Sequence, residues 1–221
     1  MNDDATHHAD APQPLTPSAQ SLRFAPSLTP EDRARAEFYA VLARLYADAP
    51  DAPLLRAIAG AERMEGSTHL MSAWNRLLDA SAAMDAAAAA QEYTDLFIGV
   101  GKSEVNLHGS HWLSGFMMEK PLVELRSDLA ALGLARRDDV LMLEDHLSAL
   151  FETMRLLVAG HDERKPSPIA TQRGFFERHI ASWAFRCCGA IRESAIANYY
   201  SCVAEFTEEF MALDRHALAM D

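Results

Sequence analysis

The segment YTDLFIG at residues 93–99 is the point around which the chain is organised. It ends an alanine-rich stretch of high helix propensity that begins at Ala86. Gly99 and Gly101 are expected to stop this helix. A loop of roughly a dozen residues follows, and loops of that length inside compact domains are uncommon and often functional. The stretch therefore predicts a helix that leads into a functional loop.

Helical periodicity continues on both sides of this loop. Apolar residues recur at spacings of three and four from Phe38 to Phe210, as in the stripe formed by Leu70, Trp74 and Leu78. No segment shows the strict alternation of polar and apolar residues that is typical of a strand. The sequence therefore predicts an all-α fold of about eight helices.

Helix caps and breakers predict where the later helices begin and end. They indicate helices over about 113–132, with Pro121 near the true first turn, over about 138–160 and over about 189–213. Asp145 and His146 then lie in the early turns of the helix over 138–160. At about 100° per residue, His146 falls at the edge of the apolar face and Asp145 on its wetter side.

Composition and charge restrict the functional classes. The chain has 32 acidic residues against 20 lysines and arginines, which gives a net charge of −12. Such a surface repels phosphate, which argues against nucleic-acid binding, and it attracts a cationic peptide. Residues 1–28 are rich in Pro, Ala, Ser, Asp and Thr and offer little to bury, so we expect a disordered tail.

The sequence also indicates a compartment. No apolar run approaches the roughly 18 residues that a membrane span needs, and residues 1–11 lack the basic and apolar regions of a secretion signal. Cys187, Cys188 and Cys202 form neither a paired framework nor a metal motif. We therefore expect a cytoplasmic protein without metal or cofactor.

Motifs for catalysis are weak. Gly101-Lys102-Ser103 has the ending of a phosphate-binding loop, but Leu96 stands where that motif requires glycine, and a predicted helix precedes it instead of a strand. Neither a zinc-protease motif nor a serine-hydrolase motif occurs. We expect no enzyme activity, and hydrolysis of ATP or GTP at this loop is the alternative.

Asp145-His146 allows two interpretations. Asp145 is either a capping acid beside a half-buried histidine, or it holds a cationic group while His146 hydrogen-bonds a peptide backbone or orients Asp145. A carboxylate that faces arginine makes a strong, charge-assisted contact. Tyr93 and Phe97 lie on helical stripes typical of a core, whereas Trp112 suits a groove as well as it suits packing.

In this order the motifs resemble those of the TorD/DmsD family of cytoplasmic redox-enzyme maturation chaperones, which is related to NarJ. The resemblance covers about residues 31–214. It is carried by YTDLFIG at 93–99, GSHW at 109–112, Gly-Leu at 133–134, Asp145-His146, the Phe-x-x-x-His-Ile-x-x-Trp segment at 175–183 and Tyr-Tyr at 199–200. Two features depart from the family pattern, namely Met142-Leu143 in place of the usual Glu-Pro and the N-terminal extension.

The resemblance implies one all-helical domain over residues 29–221, with lobes at about 29–136 and 137–221, and no catalysis. It implies binding of the twin-arginine signal peptide of an apo molybdenum-cofactor oxidoreductase, of the formate dehydrogenase type or the dimethyl sulfoxide or trimethylamine N-oxide reductase type, until the cofactor is inserted and the enzyme is exported. By motif, the peptide-binding residues are Tyr93, Phe97, Gly109, Ser110, Trp112, Asp145 and His146. A structural adaptor without a peptide groove is a further alternative, and exchange of helices between two chains would give a homodimer.

Overall fold

Helices account for all the regular structure in the part of the chain that the computed structural model describes, which is residues 28–99, 101–161 and 165–220. The tail predicted over 1–28 lies, except for Leu28, outside the described residues. Ten α-helices are present in the described part: α1 Pro30–Ala47, α2 Ala52–Ala59, α3 His69–Ala83, α4 Ala86–Tyr93, α5 Gly109–Ser114, α6 Lys120–Ala131, α7 Leu147–Ala159, α8 Ile169–Phe176, α9 Ala184–Glu193 and α10 Tyr199–Met220. Two π-helical segments, Thr94–Ile98 and Glu177–Ala181, extend α4 and α8. The all-α prediction is confirmed.

Polar side chains cap the first four helices. Thr29, Asp51, Thr68 and Asp85 each accept a hydrogen bond from a backbone N–H two or three residues further on. Each bond satisfies one of the donors that the first turn of a helix leaves unpaired. These local signals explain why the beginnings of the N-terminal helices could be predicted from sequence.

An aromatic core surrounds α1. This helix packs along α7 and also against α10, which in turn packs against α3 and α9. The rings that make mutual contacts in this core are Phe38, Tyr39, Tyr46, Trp74, Phe97, Phe151, Tyr200, Phe206 and Phe210. Since α1 and α7 belong to different predicted lobes, this packing joins the two halves, and the division into lobes stays a prediction. None of the described helices combines the length and the apolarity that a bilayer span needs.

A buried glutamate defines the start of α10. The carboxylate of Glu92, on α4, accepts hydrogen bonds from the backbone N–H groups of Asn198, Tyr199 and Tyr200 at 2.9, 3.0 and 2.7 Å. The single helix predicted over 189–213 is therefore wrong. Helix α9 ends at Glu193 and α10 begins at Tyr199, where a side chain distant in sequence accepts from the unpaired backbone N–H groups of the first turn.

The helix predicted over 138–160 is also wrong at its beginning. It begins only at Leu147, and His146 is its N-cap in extended conformation. The helix predicted over 113–132 divides into α5 and α6. Pro121 lies in the first turn of α6, as the sequence indicated.

Candidate functional site

Two segments that are distant in sequence meet beside the start of α7. Gly109 N–H donates to the Asp145 carbonyl at 2.9 Å, and Leu147 N–H donates to the Leu107 carbonyl at 2.8 Å. His108 and His146 therefore pair as an isolated antiparallel bridge. This pairing places the first residues of α5 against the turn that precedes α7.

The Asp145 carboxylate is the central feature of this junction. Its side chain is buried, with the residue only 3% exposed. Oδ2 accepts a hydrogen bond from Ser110 N–H at 2.8 Å and another from the Ser110 hydroxyl. Oδ1 is sealed from solvent and accepts no hydrogen bond from any group of the described chain. A buried polar atom without a partner is costly, so this oxygen points to a binding role.

The predicted wetter position of Asp145 is thus wrong. The helical projection placed it on the polar side of a helix, but the residue precedes α7 and lies in the bridge between the two segments. Its surroundings are set by Ser110, which lies 35 positions earlier. No periodicity along one segment contains that information.

A small cavity of about 40 Å³ adjoins Asp145. Its lining includes Ser110, Leu113, Glu124, Asp145, Arg178 and His179. A space of this size holds roughly one water-sized group. The cavity therefore suits the end of one polar side chain and not a whole small molecule.

The Trp183 indole forms one wall of the cavity and explains Gly109. Its N–H donates to the His179 carbonyl at 2.7 Å. A Cβ atom built on Gly109 would approach Trp183 Nε1 to 2.9 Å, which is shorter than real Cβ contacts. Only glycine lets α5 begin this close to the indole, and this close approach is what brings Ser110 to Asp145.

An ion-pair cluster lies next to the cavity. Asp128 accepts from His179 Nε2 at 2.7 Å and from Arg178 Nη1 at 2.6 Å. Burial acts to raise the pKa of Asp128, but the hydrogen bonds from His179 and Arg178 outweigh burial and lower it. Burial also lowers the pKa of His179, although Asp128 opposes that change. The imidazole is therefore neutral at neutral pH.

His146 caps α7 and does not orient Asp145. Its Nδ1 accepts from Ser148 N–H at 3.2 Å, and its ring lies edge-on to that of His108 with centroids 4.8 Å apart. Burial, followed by the effect of His108, lowers the pKa of His146 to about 3. The ring is uncharged at neutral pH. Ser110 is the group that orients Asp145.

Tyr93 and Phe97 lie in the core, as their helical spacing predicted. The Tyr93 hydroxyl donates to the Tyr46 carbonyl at 3.2 Å. The Phe97 ring meets Tyr93 and Tyr200 with centroid distances of 5.1 and 4.9 Å. Neither residue lines the cavity beside Asp145. Their predicted role in peptide binding stays a prediction.

Trp112 faces a different cavity. Its indole N–H donates to the Asn106 carbonyl at 2.7 Å, and the Arg186 guanidinium lies 5.7 Å from its ring centre. Together with Lys102 it lines a space of about 290 Å³. The loop that carries Lys102 follows the π-helical segment Thr94–Ile98, so the helical segment predicted before that loop is confirmed.

Several residues of the Asp145 cavity were not among those predicted from the sequence. Glu124 and Leu113 carried no motif, whereas Arg178, His179 and Trp183 lie in the segment at 175–183 that contributed to the family resemblance. The segment at 175–183 is therefore the sequence signal from which these last three residues could have been found. Among the described residues, no group of three or more His, Cys, Asp or Glu side chains could hold a metal ion.

Comparisons with known proteins match this architecture. The sequence profile of the family described as nitrate reductase delta subunit matches residues 64–189, which include α5, α6, Asp145-His146 and the segment at 175–183. A solved structure from Archaeoglobus fulgidus, described as a redox enzyme maturation protein, aligns with a TM-score of 0.54 and 18% identity, over 80% of this chain and 93% of that chain. At this identity the similarity shows a shared fold. No curated protein sequence gives a significant match.

Proposed function

We propose which segment of a client protein this chain binds. The chain belongs to the nitrate reductase delta subunit family and is therefore a redox-enzyme maturation chaperone. The client segment is the twin-arginine signal peptide of a molybdenum-cofactor oxidoreductase, of the formate dehydrogenase type or the dimethyl sulfoxide or trimethylamine N-oxide reductase type. The chaperone holds this peptide in the cytoplasm until the cofactor has been inserted, and export follows. No catalytic step is part of the proposal.

The Asp145 carboxylate carries this proposal. Ser110 satisfies one of its oxygens and holds the carboxylate in place, and the other oxygen has no partner in the described chain. A guanidinium group presents N–H donors in a fixed geometry that matches a carboxylate. A cavity of about 40 Å³ also has room for the tip of an arginine side chain to enter.

Binding at Oδ1 requires a lining side chain to move. The oxygen is sealed from solvent, so a donor cannot reach it while the lining keeps its arrangement. Leu113 is 43% exposed, so its side chain can swing outward at little packing cost. Arg178 stays paired with Asp128 at 2.6 Å.

The charge of the whole chain supports a cationic client. A net charge of −12 attracts an arginine-bearing peptide over long range, and salt screens that attraction. The affinity should therefore fall as ionic strength rises. Contacts inside the cavity are screened less, so they retain part of the affinity at high salt.

Calorimetric titration with twin-arginine leader peptides tests the proposal. We expect saturable binding to the native chain and at least a tenfold weaker affinity for Asp145→Asn, because a hydrogen bond to a charged group contributes about 1.5–3 kcal/mol. The amide keeps an acceptor for Ser110 but turns an N–H₂ donor toward the cavity. Asp138→Asn, which removes the same charge from an exposed turn, is the matched control and should bind within about twofold of the native chain.

Two results would contradict the proposal. The first is equal binding of a leader in which both arginines are replaced by glutamine. The second is no binding of the native chain to leaders from any of the named enzyme types, which would favour the structural adaptor. Peptide-to-chain stoichiometry from the same titrations, with the mass of the complex in solution, also tests the predicted homodimer.

A further inference from the structure

A second carboxylate faces the cavity that contains Asp145. Glu124 lies on α6 and lines the same space. Its side chain is 56% exposed, whereas Asp145 is 3% exposed, so the two acids lie at the mouth and at the base of one cavity. In the described part of the chain Glu124 forms an ion pair with Lys120 at 3.5 Å, and the Lys120 side chain is 85% exposed. Such an exposed pair is weak and readily exchanged.

The other charges near the cavity are already engaged. Arg178 and Asp128 neutralise each other at 2.6 Å. Glu144 precedes Asp145 in sequence, but its carboxylate is held by Arg126 at 2.9 Å and by Arg136 at 3.4 Å. Two carboxylates are then left to act on a ligand, namely Asp145 at depth and Glu124 at the mouth.

We propose that Glu124 determines specificity in this site, and that it binds a second guanidinium group outside the cavity, at its mouth, while a first guanidinium group enters the cavity toward Asp145 Oδ1. The inference rests on the proposed function. Adjacent Cα atoms of a peptide lie about 3.8 Å apart. Where the backbone turns and is not fully extended, two adjacent arginine side chains can point to the same side and reach acceptors at different depths. A peptide with one arginine satisfies only one of the two acids.

A cycle of variants tests this pairing by calorimetry. The probes are one leader peptide with both arginines and two versions in which either arginine is replaced by glutamine. Glu124→Gln should weaken binding of the two-arginine peptide by about fivefold to tenfold and leave one of the single-arginine peptides nearly unchanged. This coupling to one particular arginine is a readout that a merely structural role of Glu124 would not produce.

Three further variants complete the test. Glu119→Gln removes an exposed acid just before α6 that does not line the cavity, so its affinity should stay within about twofold of the native value. Lys120→Gln frees Glu124 and should strengthen binding of the two-arginine peptide slightly, with no effect when Glu124 is already glutamine. Asp145→Asn should weaken binding of the two-arginine peptide and of the single-arginine peptide that Glu124→Gln leaves nearly unchanged.

The outcomes separate this inference from the proposed function. If Asp145→Asn weakens binding and Glu124→Gln does not, the role of Glu124 is overturned and the proposed function stands. If Glu124→Gln weakens all three peptides equally, Glu124 acts only through general attraction, and the pairing is likewise overturned. If the native chain binds no leader, both the proposed function and this inference fail.

Discussion

Replacing Glu92 by alanine removes a side chain that caps α10 from another helix. The Glu92 carboxylate accepts three backbone hydrogen bonds at 2.7–3.0 Å and is buried. Each charge-assisted bond contributes about 1.5–3 kcal/mol, but bonds that share one carboxylate are not additive. We therefore expect a loss of about 3–5 kcal/mol in the free energy of unfolding, which is the range for breaking a buried charged contact.

Glu92→Gln gives a graded comparison. Its amide oxygen can still accept from Asn198 and Tyr200, which both bond to Oε1 in the native chain, but its N–H₂ group faces the N–H of Tyr199. The expected loss is about 1–3 kcal/mol, since one donor remains unsatisfied. Glu65→Ala, at an exposed position, is the control and should change stability by less than about 0.5 kcal/mol.

Urea unfolding followed by circular dichroism measures this series, and a thermal melt supports it. In a chain of this size the alanine variant should melt on the order of 10 °C below the native protein. The reasoning is refuted if Glu92→Ala unfolds like Glu65→Ala. It is also refuted if the glutamine variant is as unstable as the alanine variant, because the two hydrogen bonds that glutamine keeps would then contribute nothing to stability.

Two further predictions concern the junction around Asp145. Gly109→Ala places a Cβ atom 2.9 Å from Trp183 Nε1. We therefore expect the free energy of unfolding, measured in urea, to fall by about 1–3 kcal/mol. We also expect weaker binding of the leader peptide, because Ser110 is pushed away from Asp145. His146 has a pKa of about 3 in the folded chain against about 6.5 when unfolded, so the unfolded state binds more protons between these values and stability falls as pH decreases from 6.5. The expected loss of stability from this group is about 1 kcal/mol between pH 6.5 and 5.5, and its slope approaches about 1.4 kcal/mol per pH unit at lower pH. His146→Asn keeps a capping acceptor and should remove that slope in urea titrations at pH 6.5 and 5.5, whereas an unchanged slope would show that other groups cause it.

The sequence predicted those features that depend on neighbouring residues. Thr29 and Asp51 cap their helices through bonds to residues three positions away, and the apolar spacing placed Tyr93 and Phe97 in the core. In each case the signal and the structure it describes lie within one helix. The same logic predicted the first turn of α6 at Pro121.

Features set by long-range contacts could not be predicted in this way. The start of α10 depends on Glu92, which lies more than a hundred positions earlier, and the burial of Asp145 depends on Ser110. A projection on one helix treats each residue as if its surroundings were set by its own segment. The resemblance to known chaperones named Asp145 as a peptide-binding residue, which stays a prediction, and it gave no reason why one oxygen of its carboxylate has no partner in the described chain.

The unpaired oxygen of Asp145 links stability to binding. In the free chain, the hydrogen bonds from Ser110 offset part of the free-energy cost of burying the carboxylate. The remainder of that cost comes from Oδ1, which has no hydrogen-bond partner in the described chain. A guanidinium donor that reaches Oδ1 removes this remainder, so binding recovers free energy that the fold has lost. The same donor must first displace part of a sealed lining, which opposes binding. The affinity is therefore the difference of these two terms, and Glu124 at the mouth adds to the favourable one because it contacts the client without any burial of its own charge.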